Sequence, residues 1–170
     1  MDCAALGRCS PALGRKSFLC PPLSLKHVVA YVDGASSNNQ TAATRIGGWA
    51  ALLMLVDDTG VRDERPAAYK ELSGTLLGAT NNQAELEAVK QVLLALKREG
   101  TVVTIITDNQ YVIGVLSRHW KPRQNQTLIA EVKALLSKHI ITFEKFEYHS
   151  DTDATINERA DELARKAAQS

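Results

Sequence analysis

Cysteine is almost absent from this chain. Its three cysteines, Cys3, Cys9 and Cys20, all lie within the first 20 positions. The rest of the sequence therefore cannot hold a disulfide framework or a thiolate metal site. This distribution fits a reducing compartment, and we expect an intracellular, cytoplasmic protein.

Long apolar runs are also missing. The longest, Trp49 to Val56, falls far short of the roughly 20 residues that a membrane-spanning helix needs. The 170 residues, of which 45% are hydrophobic, suffice for one domain with a full hydrophobic core. The sequence therefore predicts one globular domain without a membrane segment.

Residues 1–26 differ in composition from the rest, with three of the five prolines, scattered basic residues and a single acid, Asp2. We expect a poorly ordered tail, followed by one domain over residues 27–170. A basic, acid-poor N-terminus can also be an organelle transit peptide. Targeting is the less favoured alternative here, because the segment has Asp2 and only a weak amphipathic pattern.

An excess of positive charge is lacking as well. The tail takes four of the 20 Lys and Arg and one of the 19 Asp and Glu, so residues 27–170 hold 16 basic and 18 acidic side chains. A continuous basic surface for nucleic acid is therefore excluded. One local patch remains, Arg118 to Arg123 around Trp120, which suits phosphate contact and base stacking. Its alternative interpretation is a solvated helix end.

What is present is an alternation of strand and helix patterns. Apolar, β-branched runs predict strands and 3.6-residue periodicity predicts helices. The expected strands cover residues 27–33, 46–56, about 67–77, 101–107 and 141–148, with a turn at 57–60 and a bulge near Gly74. The expected helices cover residues 82–98, 110–119, 127–138 and about 155–168. This order indicates one α/β domain with a mixed sheet.

Four acidic residues lie in distinctive sequence motifs, called phrases below. They are Asp33 in Tyr-Val-Asp-Gly, Glu85 in Thr-Asn-Asn-Gln-Ala-Glu-Leu, Asp108 in Thr-Asp-Asn-Gln-Tyr-Val and Asp161 in Asn-Glu-Arg-Ala-Asp-Glu-Leu-Ala. Asp33 and Asp108 end the two most hydrophobic strands, where an open α/β sheet forms its ligand crevice. Glu85 and Asp161 lie on the apolar faces of helices, whereas Glu87 is expected on a solvated face. Clustered carboxylates need a counter-cation, and Mg²⁺ or Mn²⁺ suits such oxygen ligands.

Each acid alone also has a structural interpretation. Asp33 could end a strand in a turn, and Asn82 with Glu85 matches a capping box. Asp108 could cap the helix that follows it, and Asp161 could pair with an arginine four residues on. The four phrases together favour a metal-dependent phosphodiesterase site.

These phrases, in this order, resemble type I ribonuclease H over about residues 27–168. The resemblance implies a ribonuclease H-like fold, with a five-stranded mixed sheet whose first three strands are antiparallel and which helices flank on both faces. It also implies an endonuclease that cuts the RNA strand of RNA/DNA hybrids with two Mg²⁺ ions, Mn²⁺ being a possible substitute. Asp33, Glu85, Asp108 and Asp161 would be its carboxylates, with Asp33 bridging the ions. The products would carry 5′-phosphate and 3′-hydroxyl ends.

Substrate contacts follow from the same resemblance. Asn39, Asn81 and Gln110 match positions that contact the minor groove of the hybrid. Thr80 matches a DNA-phosphate contact that Asn125 completes, and Trp120 lies beside the expected channel for the DNA strand.

The chain departs from the family pattern in three respects. It lacks the basic protrusion and a separate hybrid-binding domain. His149, expected to assist proton transfer or product release, lies unusually far before Asn157, so Asp151 or Asp153 in the expected loop could replace it.

Two other function classes are possible for such a fold. A DNA recombinase or transposase would need large additional regions. A weak or inactive hybrid-binding module of the same fold is the alternative to the nuclease. No protein partner is evident, and a monomer is the expectation.

Overall fold

The computed structural model describes residues 27–37, 41, 43–56, 69–148 and 151–170. The predictions for the N-terminal tail, for the turn at 57–60, for Asn39 and for His149 fall outside these ranges. Among the described residues, no helix combines the length and the apolarity that crossing a bilayer requires.

The fold is built on a five-stranded sheet with the order β3-β2-β1-β4-β5. The strands are β1 His27–Ser36, β2 Ile46–Val56, β3 Tyr69–Leu77, β4 Val102–Thr107 and β5 Ile140–Lys145. The first three strands pair antiparallel, and β1 with β4 and β4 with β5 pair parallel. The mixed sheet with three antiparallel strands is therefore confirmed.

Helices cover both faces of this sheet. They are α1 Asn81–Ala95, α2 Gln110–Leu116, α3 Gln126–Leu136 and α4 Asp151–Ala168. Val28, Ala30 and Val32 of β1 point into a core shared with α1, α2 and α3. Val29 and Tyr31 point to the opposite face, where Ile156 of α4 packs. Because β1 is buried on both faces, it reads in the sequence as a continuous apolar run.

The first turn of α4 differs from the prediction. The helix begins at Asp151 rather than near residue 155, so Asp151 and Asp153 are helical and do not lie in a loop. Acids are favourable in a first turn because they face the positive end of the helix dipole. Asp153 is buried and accepts a hydrogen bond from the fully buried Tyr31, while Tyr148 Oη donates to Asp151 Oδ1 at 2.5 Å.

Other element predictions need smaller corrections. β5 ends at Lys145, three residues earlier than expected, and β1 continues through Asp33 to Ser36. The bulge near Gly74 is absent from the paired residues, since β2 and β3 keep one register from Met54 with Tyr69 to Ile46 with Leu77.

The prediction for Glu87 was also wrong. This residue is only 9% exposed. Gln91 donates to its carboxylate at 2.7 Å, and Lys90 links the same region of α1 to Glu131 of α3. Since α3 packs against α1, the face expected to meet solvent is a helix–helix contact.

Candidate active site

Asp33 and Asp108 meet at the carboxyl ends of the neighbouring strands β1 and β4. The parallel register pairs His27 with Val102 and Tyr31 with Ile106, and Asp33 and Asp108 each follow two residues after the last pair. Residues at matching positions of neighbouring strands point to the same face. The backbone N–H of Gly34 donates to Asp33 Oδ1 at 2.7 Å, which fixes one carboxylate oxygen where the strand passes α1.

Glu85, on helix α1, lies near the same carboxyl ends of β1 and β4. The helix starts at the N-cap Thr80, whose hydroxyl accepts from Gln83 N at 3.4 Å while Gln83 Oε1 accepts from Thr80 N at 2.9 Å. The capping box is therefore formed by Thr80 and Gln83, and the interpretation with Asn82 and Glu85 was wrong. Glu85 is thus left free of a capping role, and it is 3% exposed.

Carboxylate oxygens of Asp33, Glu85 and Asp108 all lie within 4.8 Å of one another. Burial raises the pKa of Asp33 from 3.8 to about 6, and the charges of Asp108 and Asp161 add to this rise. Burial followed by the charges of Asp33 and Asp108 raises the pKa of Glu85 well above its usual value. A hydrogen bond between the two carboxyl groups raises the pKa of Glu85 and lowers that of Asp33, so the pair holds a proton readily.

Asp161 lies beside this trio and outside its tightest contact. It is on α4 and forms an ion pair with Arg165 one turn further on. Its side chain is 42% exposed, yet its charge is close enough to raise the pKa of Asp33. The pairing with Arg165 agrees with the structural interpretation of Asp161, while its role as a metal ligand stays a prediction.

The residues fit a divalent cation. The three clustered side chains offer hard oxygen donors, as Mg²⁺ and Mn²⁺ require. The charges that act on Asp33 and Glu85 are all acidic within the described residues. Their ionised forms therefore need a positive partner beyond the described residues, and a divalent cation would supply it.

Comparison with known proteins agrees with this geometry. The RNase H family model matches residues 25–169. The chain belongs to the RNase H family. Ribonuclease H of Chlorobium luteolum is 35% identical over 158 residues, which cover 85% of this chain and 97% of the relative. Ribonuclease H of Francisella philomiragia is 36% identical over 154 residues, with coverage of 83% and 90%. The chain is accordingly a hydrolase of the ribonuclease H class.

Solved structures show the same RNase H fold. RNase H1 of the halophilic archaeon Halobacterium salinarum NRC-1 superposes with a TM-score of 0.58 at 29% identity, covering 84% of this chain and 98% of that one. LC9-RNase H1, described as a type 1 RNase H with the type 2 active-site motif, gives a TM-score of 0.66 at 22% identity. It covers 85% of this chain and 72% of that one, and it supports the fold alone.

The described positions that are predicted to contact substrate in this RNase H lie at the starts of α1, α2 and α3 and between α2 and α3. Asn81 and Gln110 are the first residues of α1 and α2, and both are exposed. Both helices start at the carboxyl ends of the parallel strands. Asn125 precedes α3 with a left-handed backbone at φ 60°, and its side chain makes no capping hydrogen bond. Thr80 is exposed at the start of α1, although its hydroxyl also serves the helix cap.

A groove runs beside Trp120 in this RNase H. The indole lies over Gly114 of α2, where an added β-carbon would come within 2.2 Å of the ring, and it remains 48% exposed. The groove is lined by Asn82, Tyr111, Val115, Trp120, Lys121, Pro122, Arg123 and Gln124. Residues 120–123 of the basic patch therefore line an open groove.

Sequence reasoning missed four residues that line this groove, namely Asn82, Tyr111, Val115 and Gln124. The sequence predicts only a capping role for Asn82, whereas this residue lines the groove and accepts a hydrogen bond from Asn109 Nδ2 at 2.9 Å. Its position directly after Asn81 and three residues before Glu85 was the available signal, because both of these are predicted site residues.

Proposed function

We propose that this protein is an endonuclease that hydrolyses the RNA strand of RNA/DNA hybrids, using two divalent metal ions and leaving 5′-phosphate and 3′-hydroxyl ends. The observation that carries the proposal is the cluster of Asp33, Glu85 and Asp108 in a member of the RNase H family. Mg²⁺ is the expected ion and Mn²⁺ a substitute. Asp33 would bridge the two ions, with Asp161 as the fourth carboxylate.

Bound divalent ions would supply an activated water and stabilise the charge on the leaving oxygen. The chain's own contribution is to hold the carboxylates ready. Asp33 is fixed by the N–H of Gly34, and Glu85 is kept out of water in the first turns of α1. The clustered charges cannot all stay ionised alone, so ion binding relieves their repulsion.

Selection of the hybrid would rest on polar groups around the cluster. Asn81 and Gln110 would read RNA 2′-hydroxyls in the minor groove, which distinguishes RNA from DNA. Thr80 and Asn125 would hold a phosphate of the DNA strand, and Trp120 would line its channel. Asn39 and His149, outside the described residues, keep their proposed roles in substrate binding and proton transfer.

The test is cleavage of an end-labelled RNA/DNA hybrid, beside single-stranded RNA, duplex RNA and duplex DNA, with Mg²⁺, Mn²⁺ or EDTA. Glu85→Gln should abolish cutting. Glu99→Gln is the matched control, because Glu99 is exposed and pairs only loosely with Lys138 at 3.7 Å. Metal-dependent cutting of the hybrid's RNA strand alone supports the proposal, whereas binding without cutting indicates the inactive hybrid-binding module.

A further inference from the structure

Thr107 connects the acidic cluster to the turn that carries Asp108. It is the last residue of β4 and is fully buried. Its hydroxyl donates to Glu85 Oε2 at 3.1 Å, and the backbone N–H of Asn109 donates to the same hydroxyl at 3.0 Å. A buried hydroxyl has one hydrogen to donate, so these two bonds fix its direction toward Glu85.

Asn109 is itself held firmly. Its side-chain oxygen accepts from Tyr111 N at 2.9 Å and from Val112 N at 3.3 Å, which caps α2. Its side-chain nitrogen donates to Asn82 Oδ1 at 2.9 Å. The chain of hydrogen bonds therefore runs from Asn82 in the groove through Asn109 and Thr107 to the carboxylate of Glu85.

We propose that Thr107 is a positioning residue, which holds Glu85 in the orientation that a divalent ion requires. The inference rests on the proposed function. The hydrogen bond to Oε2 restricts rotation of the Glu85 carboxylate beside Asp33 and Asp108. Partners that orient metal ligands commonly change metal affinity by about 10- to 100-fold when removed.

The strand offers a matched control. Thr104 lies three residues before Thr107 in β4 and is 6% exposed. It contacts His27 Nε2 at 2.9 Å, away from the acidic cluster. Thr107→Val and Thr104→Val make the same change of hydroxyl to methyl at two buried positions of one strand. Thr107→Ser keeps the hydroxyl and should restore the wild-type behaviour.

The experiment is isothermal titration of each purified variant with Mn²⁺, in the absence of nucleic acid. Thr107→Val should bind at least about tenfold more weakly, while Thr107→Ser and Thr104→Val stay within about threefold of wild type. Circular dichroism and thermal unfolding without metal check that each variant is folded. If Thr107→Val does not fold, Thr107→Ala is compared with Thr107→Ser instead.

The outcomes separate the two proposals. Wild-type affinity in folded Thr107→Val, or equal loss in Thr104→Val, overturns the role of Thr107 whatever the protein cuts. Absence of Mn²⁺ binding by the wild type also overturns it. If the expected affinities are found but no hybrid is cut, the positioning role stands and the proposed nuclease function fails.

Discussion

Gly34 touches the backbone of Glu85. A β-carbon at Gly34 would lie 2.4 Å from the backbone nitrogen of Glu85 and 2.8 Å from the carbonyl carbon of Ala84. Strand β1 and helix α1 therefore approach each other at a point where only glycine fits. Because Asp33 directly precedes Gly34, this contact also brings the carboxylates of Asp33 and Glu85 together.

Gly34→Ala should consequently damage the site as well as the fold. The added methyl meets backbone atoms, which cannot rotate away, so α1 must shift from β1. We expect a loss of roughly 1–3 kcal/mol of unfolding free energy and a loss of Mn²⁺ binding. Urea unfolding and Mn²⁺ titration measure the two effects.

Gly100→Ala provides the control for Gly34→Ala. Gly100 has φ +73° and open space around its α-carbon, so alanine there is strained but touches nothing. It should cost about 1–2 kcal/mol yet leave Mn²⁺ affinity unchanged. Equal Mn²⁺ affinity in Gly34→Ala and wild type would contradict the importance of this contact.

The raised pKa of Asp33 predicts a pH dependence of stability without metal. The pKa of Asp33 is about 6 in the folded state, against an ordinary value of 3.8. At a pH between these two values, Asp33 keeps its proton in the folded protein, whereas the unfolded chain has lost it. This contribution is fully present below about pH 4 and is lost as the pH rises through 6, by on the order of 1–3 kcal/mol. Asp33→Asn lacks this loss, so in EDTA it should exceed the wild type in stability at pH 8.

Urea unfolding of both proteins in EDTA at pH 4, 6 and 8 tests this. The advantage of Asp33→Asn should shrink toward pH 4. Millimolar Mg²⁺ at pH 8 should raise the melting temperature of the wild type by mass action but not that of the variant. A wild type that gains stability from pH 4 to pH 8 relative to Asp33→Asn would contradict the prediction.

The sequence predicted the strand ends that carry Asp33 and Asp108 better than the helices around them. β1 and β4 are buried on both faces, so their apolar runs locate Asp33 and Asp108 without tertiary information. Burial of Glu87 depends on α3, and the early start of α4 accompanies a contact between Asp153 and Tyr31, 122 positions apart. Such contacts leave no local pattern. The convergence of Asp33 with Glu85 depends on the same kind of distant packing at Gly34.

Asp161 should contribute less to metal binding than the clustered acids. Its carboxylate already has a positive partner in Arg165 and is partly in water, and it lies outside the group of three clustered carboxylates. Asp161→Asn should weaken Mn²⁺ binding by less than about tenfold, whereas Asp108→Asn should weaken it by more. Both variants make the same change of acid to amide, and titration with Mn²⁺ measures the affinity of each. Greater weakening in Asp161→Asn would place this acid at the centre of the metal site.

Trp120 should act on hybrid affinity rather than on the chemical step. Its indole is half-exposed over Gly114 in the groove with Lys121 and Arg123, apart from the acidic cluster. Stacking on an aromatic ring contributes about 1–3 kcal/mol per base, so Trp120→Ala should raise KM by at least about fivefold and change kcat little. Trp120→Phe keeps an aromatic ring, so its KM should lie between those of the wild type and Trp120→Ala. Steady-state kinetics at several salt concentrations measures this, and a fall in kcat at unchanged KM would exclude a role in holding substrate.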